Sequence, residues 1–373
     1  MSKPFTPSAA APAPCRADAP HTLAPAAVSR RHLLFTVGAL GLLPLGGRAE
    51  SARVPLRVLT HSSFDLPKPL LSGFEDAARV QLVLIKGGDA GEVVNKLILT
   101  RAKPVADVVY GIDNALAAKA TAAGVLQAYE GPAATADALA RLPAPLVPVN
   151  HGHVTLNIDR AWFKARGLAA PTALDDLVQP AYRNLLVVPH PATSSPGLAF
   201  LAATVAAMGE EAAFAWWARL RANGLKVAKG WSEAYYTDFS RNGGARPIVV
   251  SYATSPAAEV FYSKTPLSEP PTASLALPGG VFQQVEGVAL VRGGSATPAV
   301  REAAGRFIEF LRSREVQQAI PTAMWMLPAT PGTPLPEVMR HAQEPAMGPQ
   351  PTPETLAARA PAWVARWTRV VLR

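Results

Sequence analysis

The stretch 228-AKGWSEAYYTDFSRNGGARPIVVSYATSP-256 decides how the rest of this chain is understood. It starts as a loop carrying Trp231. Ser232, a good N-cap followed by Glu233, then predicts a short helix. The turn RNGGAR is rich in residues that tolerate positive φ, and the β-branched run after it predicts a buried strand over 247–252. Trp231 and Tyr252 stand near the ends of these elements. Ligands of open α/β sheets bind beyond the carboxyl ends of strands, so both side chains are placed for contact. The same residue types also serve as a core anchor and a sheet end, and the stretch alone leaves both roles open.

Upstream the chain repeats one pattern. Strands are predicted over 56–60, 80–85 and 107–111, with helices over 68–78, 90–100 and an alanine-rich run to 123. Short apolar strands alternating with helices imply a mostly parallel sheet. Each strand runs into polar residues, His61 to Ser63, Lys86 to Asp89, and Asp113-Asn114, which would form one rim of a cleft. After the proline-rich loop 142–148, the extended segment 149-VNHGHVTLNID-159 puts His151 and His153 on one face. Neither a cysteine nor an obvious carboxylate accompanies them, so a lining or surface position is expected rather than a metal site.

A second α/β unit follows. A short helix over 174–178 precedes a buried strand over 185–189, and 190-HPATSSPGLAFLAATVAAMG-209 is a loop running into a helix. Pro196 suits its first turn, and Ser194 or Ser195 its N-cap. Unpaired N–H groups and hydroxyls there could receive an anion, although most such sequences only cap a helix. A helix over 210–222 carries Trp216 and Trp217, of which Trp217 shares with Leu220 a face expected to meet the core. Farther on, 281-VFQQVEGVALVRG-293 is extended, 300–312 is an amphipathic helix, 320-IPTAMWMLPA-329 is a loop holding Trp325, and 353–372 is a final helix.

The 373 residues suffice for two ordinary domains, and 49% hydrophobic with 17% charged residues describes a globular protein. The net charge is +9, but the first 49 residues hold five basic side chains against Asp18, leaving only a mild, dispersed excess that argues against nucleic acid as a partner. Residues 1–28 are rich in Ala and Pro and aperiodic. In 29-SRRHLLFTVGALGLLPLGGRAES-51, two arginines precede an apolar run and a small-residue cleavage pattern ending at Ala49. This is a secretory signal, too short for a membrane span, and its SRRHLL resembles the twin-arginine export motif with Leu33 where that motif favours an aromatic. The one cysteine, Cys15, lies in this leader, so the mature chain is expected to have no disulfide, thiolate metal site or cysteine nucleophile.

In order and spacing, ADVVYGIDN, TSSPGL, KGWSEAY, VVSYATSPA, VEGVALV and IPTAMWM resemble the periplasmic thiamine-binding proteins of ABC importers over about residues 56–371. The resemblance implies an α/β, two-lobed type II periplasmic-binding-protein fold whose two crossing strands, near 149–158 and 282–291, form the hinge. Residues 50–150 plus 287–373 would form one lobe and 151–286 the other. It further implies a monomer that captures thiamine or a thiamine phosphate between the lobes and delivers it to the permease subunits, with no cofactor and no catalytic residues. Carried over onto this sequence, Ser195 and Gly197 at the helix start, Trp231 and Tyr252 would hold the hydroxyethyl or phosphate end. Asp113 would lie near the cationic rings, Trp325 would stack on them, and His61 and Ser63 would line the first loop. The family's Tyr-Asp-Ser-Phe is here His61-Ser62-Ser63-Phe64, and its Tyr-Gly-Tyr is His151-Gly152-His153. An alternative is another small ligand, an aminophosphonate or ferric iron. Adjacent tyrosines such as Tyr235 and Tyr236 both reach one ion only if the helix is locally broken. Thiaminases share the fold class but rely on a cysteine, and Asp113, Glu233 and Glu286 form no recognisable acid/base pair by spacing, so an enzyme is not expected.

Overall fold

Short β-branched runs set the frame. The computed structural model describes residues 53–135 and 142–373, so the expected export signal and Cys15 lie outside the described residues. The strands are β1 (Val54–Thr60), β2 (Val80–Lys86), β3 (Val108–Asp113), β4 (Leu126–Gln127), β5 (Val147–Asp159), β6 (Leu186–Pro189), β7 (Lys226–Ala228), β8 (Ile248–Tyr252), β9 (Thr272–Leu275), β10 (Phe282–Val291) and β11 (Leu327–Pro328). They form one curled sheet in the order β2-β1-β3-β10-β5-β8-β6-β7, with β4, β9 and β11 added at its margins.

The expected parallel sheet is found only toward the two ends of this order. β1 runs parallel to β2 and β3, and β6 runs parallel to β7 and β8. At the centre β10 is antiparallel to both β3 and β5, and β5 is antiparallel to β8. The reason is connectivity: β5 carries the chain from one half to the other and β10 carries it back, so they run in opposite directions. The register of β10 slips between Glu286 and Gly287 against β5, and between Gly287 and Val288 against β3. Such a bulge bends a strand and re-aims its side chains.

Two cores flank this sheet. Phe64, Phe74, Tyr110, Phe307 and Leu311 fill one, under helices Lys68–Ala78 and Pro298–Leu311. Phe200, Trp216, Trp217 and Trp367 dominate the other, under helices Ser195–Met208 and Glu210–Ala222. The terminal helix, Pro353–Leu372, was expected with the first half. Its larger contact is with Glu210–Ala222, through Trp363 Nε1 donating to Glu210 Oε2 (3.0 Å) and the Arg366 fork on Glu211 (2.5 and 2.6 Å). It also touches helix Ala117–Ala122, so it spans both halves.

Three local expectations change. The short helix is capped at Gly230 rather than Ser232, and runs from Trp231–Glu233 into a π-turn over Ala234–Asp238. Glu233 instead accepts from the Lys229 N–H (2.7 Å), securing the preceding loop. The segment from Ile320 opens as the last turn of helix Arg314–Ala323, with Pro321 inside it, and ends in β11 pairing with β5. No helix among the described residues is long and apolar enough to cross a membrane.

Candidate functional site

A cleft of about 600 Å³ opens between the β1–β3 half and the β6–β8 half, beyond the strand ends. Loop 61–65 after β1, the start of helix Ala90–Leu99, the start of helix Ser195–Met208, the 231–236 turn, the end of β8 and the 323–326 loop converge on it.

One wall is aromatic. Trp231 stacks on Tyr235 with ring centroids 5.2 Å apart and planes 22° apart, while Tyr236 and Tyr252 stand edge-on at 5.5 and 6.1 Å. Part of this wall lies in the π-turn. The adjacent Tyr235 and Tyr236, both in this widened turn, border the cleft together. Trp231 is anchored twice, its Nε1 donating to Ser251 Oγ (2.9 Å) and its backbone N–H to Asp89 Oδ2 (2.9 Å). Across the mouth Trp325 meets Phe261 and Tyr262 at 5.3 and 5.5 Å. Its φ of 55° is unusual for so bulky a residue, and Thr254 Oγ1 holds that conformation by donating to the Trp325 carbonyl (2.6 Å).

The floor is a buried polar network. Tyr252 OH donates to Gln284 Oε1 (3.2 Å), Gln284 Nε2 to Glu286 Oε1 (3.0 Å), and Tyr110 OH to Glu286 Oε2 (2.8 Å), while Asn150 Nδ2 donates to Tyr110 OH. Despite burial, which alone would raise it, the Glu286 pKa is held below the ordinary value by His61, Tyr110 and Asn150. Of the lining residues, Asp65, Asp89, Glu259 and Glu286 are acidic. Arg241 is the lone Arg among them, there is no Lys, and its Nε already lies 3.1 Å from Glu259 Oε2. Tyr235 OH donates to the same carboxylate (2.8 Å), and burial followed by Glu259 pushes its pKa up, the opposite of what a phenolate ligand to ferric iron requires.

At the third wall helix Ser195–Met208 begins beneath the cleft. Gly197 is required there, because a Cβ would stand 2.3 Å from the Pro189 carbonyl oxygen at the end of β6. Ser194 occupies the cap position, but its hydroxyl makes no capping bond. Asp113 accepts from the N–H groups of Ala115 (2.8 Å) and Leu116 (2.9 Å) through Oδ1. Its Oδ2 and the Ser195 hydroxyl are buried without a hydrogen-bond partner, near enough that Ser195 still draws the Asp113 pKa down. Burial wins, raising it from 3.8 to about 6.

That shift has a consequence for stability. A carboxyl whose folded value lies above its unfolded one stabilises the fold fully below about pH 4, a contribution lost as pH rises through about 6. The two-unit difference corresponds to on the order of 3 kcal/mol. Asp113→Asn keeps the acceptor for Ala115 and Leu116, so urea unfolding is expected to show wild type losing stability relative to the variant between pH 4 and 6.5. Parallel profiles would mean that Asp113 titrates normally.

Of the residues singled out from sequence, His61, Ser63, Ser195, Trp231, Tyr252 and Trp325 share the cleft, whereas Asp113 and Gly197 lie behind its wall. His151 and His153 do not line it. Their rings stand 6.4 Å apart on β5, His153 is buried, and burial lowers the pKa of both. No group of three His, Cys, Asp or Glu side chains among the described residues is arranged to hold a metal.

Residues 103–351 match the family model described as bacterial extracellular solute-binding protein. The chain belongs to this family. The solute-binding protein is 32% identical to the thiamine-binding periplasmic protein of Escherichia coli, over 90% of this chain and 98% of that one. The thiamine-binding periplasmic protein of Brucella suis is 29% identical, over 91% and 97%. Among solved structures, a periplasmic thiamin binding protein superposes with a TM-score of 0.74 at 30% identity, covering 89% of this chain and all of that one. Iron-bound HitA from Pseudomonas aeruginosa, at 19% identity and a TM-score of 0.65, shares the fold. The fold is therefore that of the two-lobed periplasmic binding proteins, with β5 and β10 joining the lobes of this solute-binding protein.

Sequence reasoning placed Asp89 on the cleft rim but missed its bond to Trp231, and it missed the Glu286 network. A carboxylate inside the otherwise apolar run VEGVALV was a usable signal, since a charge in a buried strand demands partners.

Proposed function

We propose that the protein captures thiamine, or a thiamine phosphate, in the periplasm and hands it to the permease of an ABC importer. It acts as a monomer and carries out no chemical step. One observation carries the choice of solute: the cleft combines aromatic faces with four carboxylates, and its lone Arg is already paired. A thiazolium is a permanent cation, so rings and carboxylates suit it. A free aminophosphonate would meet uncompensated negative charge. The names of the relatives agree with this choice. Ser195 and the helix start beside it would receive the hydroxyethyl or phosphate end, Trp231 and Tyr252 would border it, and Trp325 would cover the ring system. Residues 50–150 with 287–373 would make one lobe and 151–286 the other, the terminal helix strapping them together. Closure about β5 and β10 would present the loaded form to the membrane subunits.

Calorimetric titration of ligand-stripped protein with thiamine and its mono- and diphosphate tests the proposal. Binding is expected, weakened roughly 10- to 100-fold by Trp231→Ala or Trp325→Ala, as for removal of a central aromatic anchor. If no thiamine species binds, the proposed solute is wrong.

A further inference from the structure

The end of β1 and the middle of β10 bring together a pair that sequence spacing does not reveal. His61 Nε2 stands 3.5 Å from Glu286 Oε1, and both side chains are at least nine-tenths buried. The contact is in ion-pair range but outside hydrogen-bond geometry, so His61 Nε2 has no hydrogen-bond partner. Both residues line the cleft. The register of β10 shifts directly after Glu286, so the pair sits where the strand departs from regular pairing.

We propose that His61 is a specificity-determining residue: its protonation sets how much negative charge the cleft floor offers, so capture of a cationic solute expels a proton from it. The inference rests on the cationic solute proposed above. With an imidazolium at position 61 the pair is neutral overall. With neutral imidazole, Glu286 keeps a full charge, one the buried network stabilises without cancelling. A cation entering the cleft repels the imidazolium and favours the second state. By linkage, whatever proton the cation displaces must in turn weaken the cation's binding when pH falls.

The groups facing His61 come from four elements. Glu286 on β10 and Asp89 at the start of helix Ala90–Leu99 favour the charged imidazole. Lys86 at the end of β2 opposes it, and the Tyr110 ring on β3 lies 5.5 Å away. Burial is the largest single influence and favours the neutral ring, yet the two carboxylates prevail and His61 is raised above the ordinary histidine value. Glu286 faces His61, Tyr110, Asn150 and Gln284, and it bears on the charges of Tyr252 and Asp113. Asp113, at about 6, adds its own proton release at lower pH, so the informative range lies above pH 6.5.

The test is titration of the purified protein with thiamine between pH 6.5 and 8, in buffers of different ionisation enthalpy. Wild type is expected to release up to about one proton per thiamine, its affinity rising by up to about tenfold per pH unit. His61→Asn should bind thiamine with a flat profile and no proton release, and His61→Gln serves if the first variant does not fold. Equal slopes in wild type and variant, or tight wild-type binding without pH dependence, overturn the coupling alone. Absence of thiamine binding at every pH overturns the solute and the coupling with it.

Discussion

Gly91→Val is expected to weaken thiamine binding by about 10- to 100-fold while leaving each lobe folded. The first turn of helix Ala90–Leu99 meets the loop before helix Ser195–Met208 backbone to backbone, Gly91 N–H donating to the Thr193 carbonyl (3.0 Å). A Cβ at Gly91 would lie 2.7 Å from that carbonyl's carbon and oxygen and 2.8 Å from Ala192 O. Neither neighbour is a side chain that can swing away. The two sides must separate, and overpacking of this kind costs about 1–3 kcal/mol, hence the fold-change given. Separation also pulls apart the Asp89–Trp231 bond and the Lys229–Glu92 ion pair (3.2 Å), which cross the same boundary. Titration calorimetry measures the loss, and small-angle scattering should show that ligand no longer compacts the variant. Unchanged affinity would mean that the captured state does not need this contact.

Trp367→Ala carries the second large effect, on stability. Trp367 is fully buried in the terminal helix, with ring centroids 5.6 Å from Trp217 and 5.2 Å from His190. Truncation leaves a cavity among rigid rings that cannot collapse into it, because Trp217 is itself held by its Nε1 donating to Thr204 Oγ1 (3.1 Å). Losses of about 3–5 kcal/mol are usual for such changes. Denaturant unfolding followed by circular dichroism is expected to show a loss in that range. A change below about 1 kcal/mol would mean that the helix is an ornament rather than part of the core.

Much of the architecture was legible because it rests on local pattern. The helix bounds Lys68–Ala78 and Pro353–Leu372 follow from apolar spacing and a proline in or before the first turn, and those of Glu210–Ala222 from Gly209 before it and two glutamates in its first turn. The aromatic members of the cleft stood out because they end strands or interrupt loops, as Tyr252 and Trp325 do. What was hidden depends on partners far apart in sequence. Glu286 reads as a stray charge until β10 lies beside β3 and β5, when Tyr110 and Asn150 become its neighbours. Asp89 reads as one more polar residue on the cleft rim, but it caps helix Ala90–Leu99 and its second oxygen receives Trp231 from 142 residues away. The π-turn is invisible to any 3.6-residue template, since it is one residue too many in a single turn. Direction along β5 and β10 is likewise a property of connectivity, which periodicity does not encode.

The side-by-side placement of β5 and β10 has a mechanical meaning. Two crossing strands hydrogen-bonded to each other, with a terminal helix that touches both halves, restrict how one lobe could slide or twist against the other. The motion expected to stay soft is a rotation about the line between them. A solute entering the cleft then has few collective motions to freeze, and less of its contact energy is spent on ordering the protein than two loosely tethered bodies would demand.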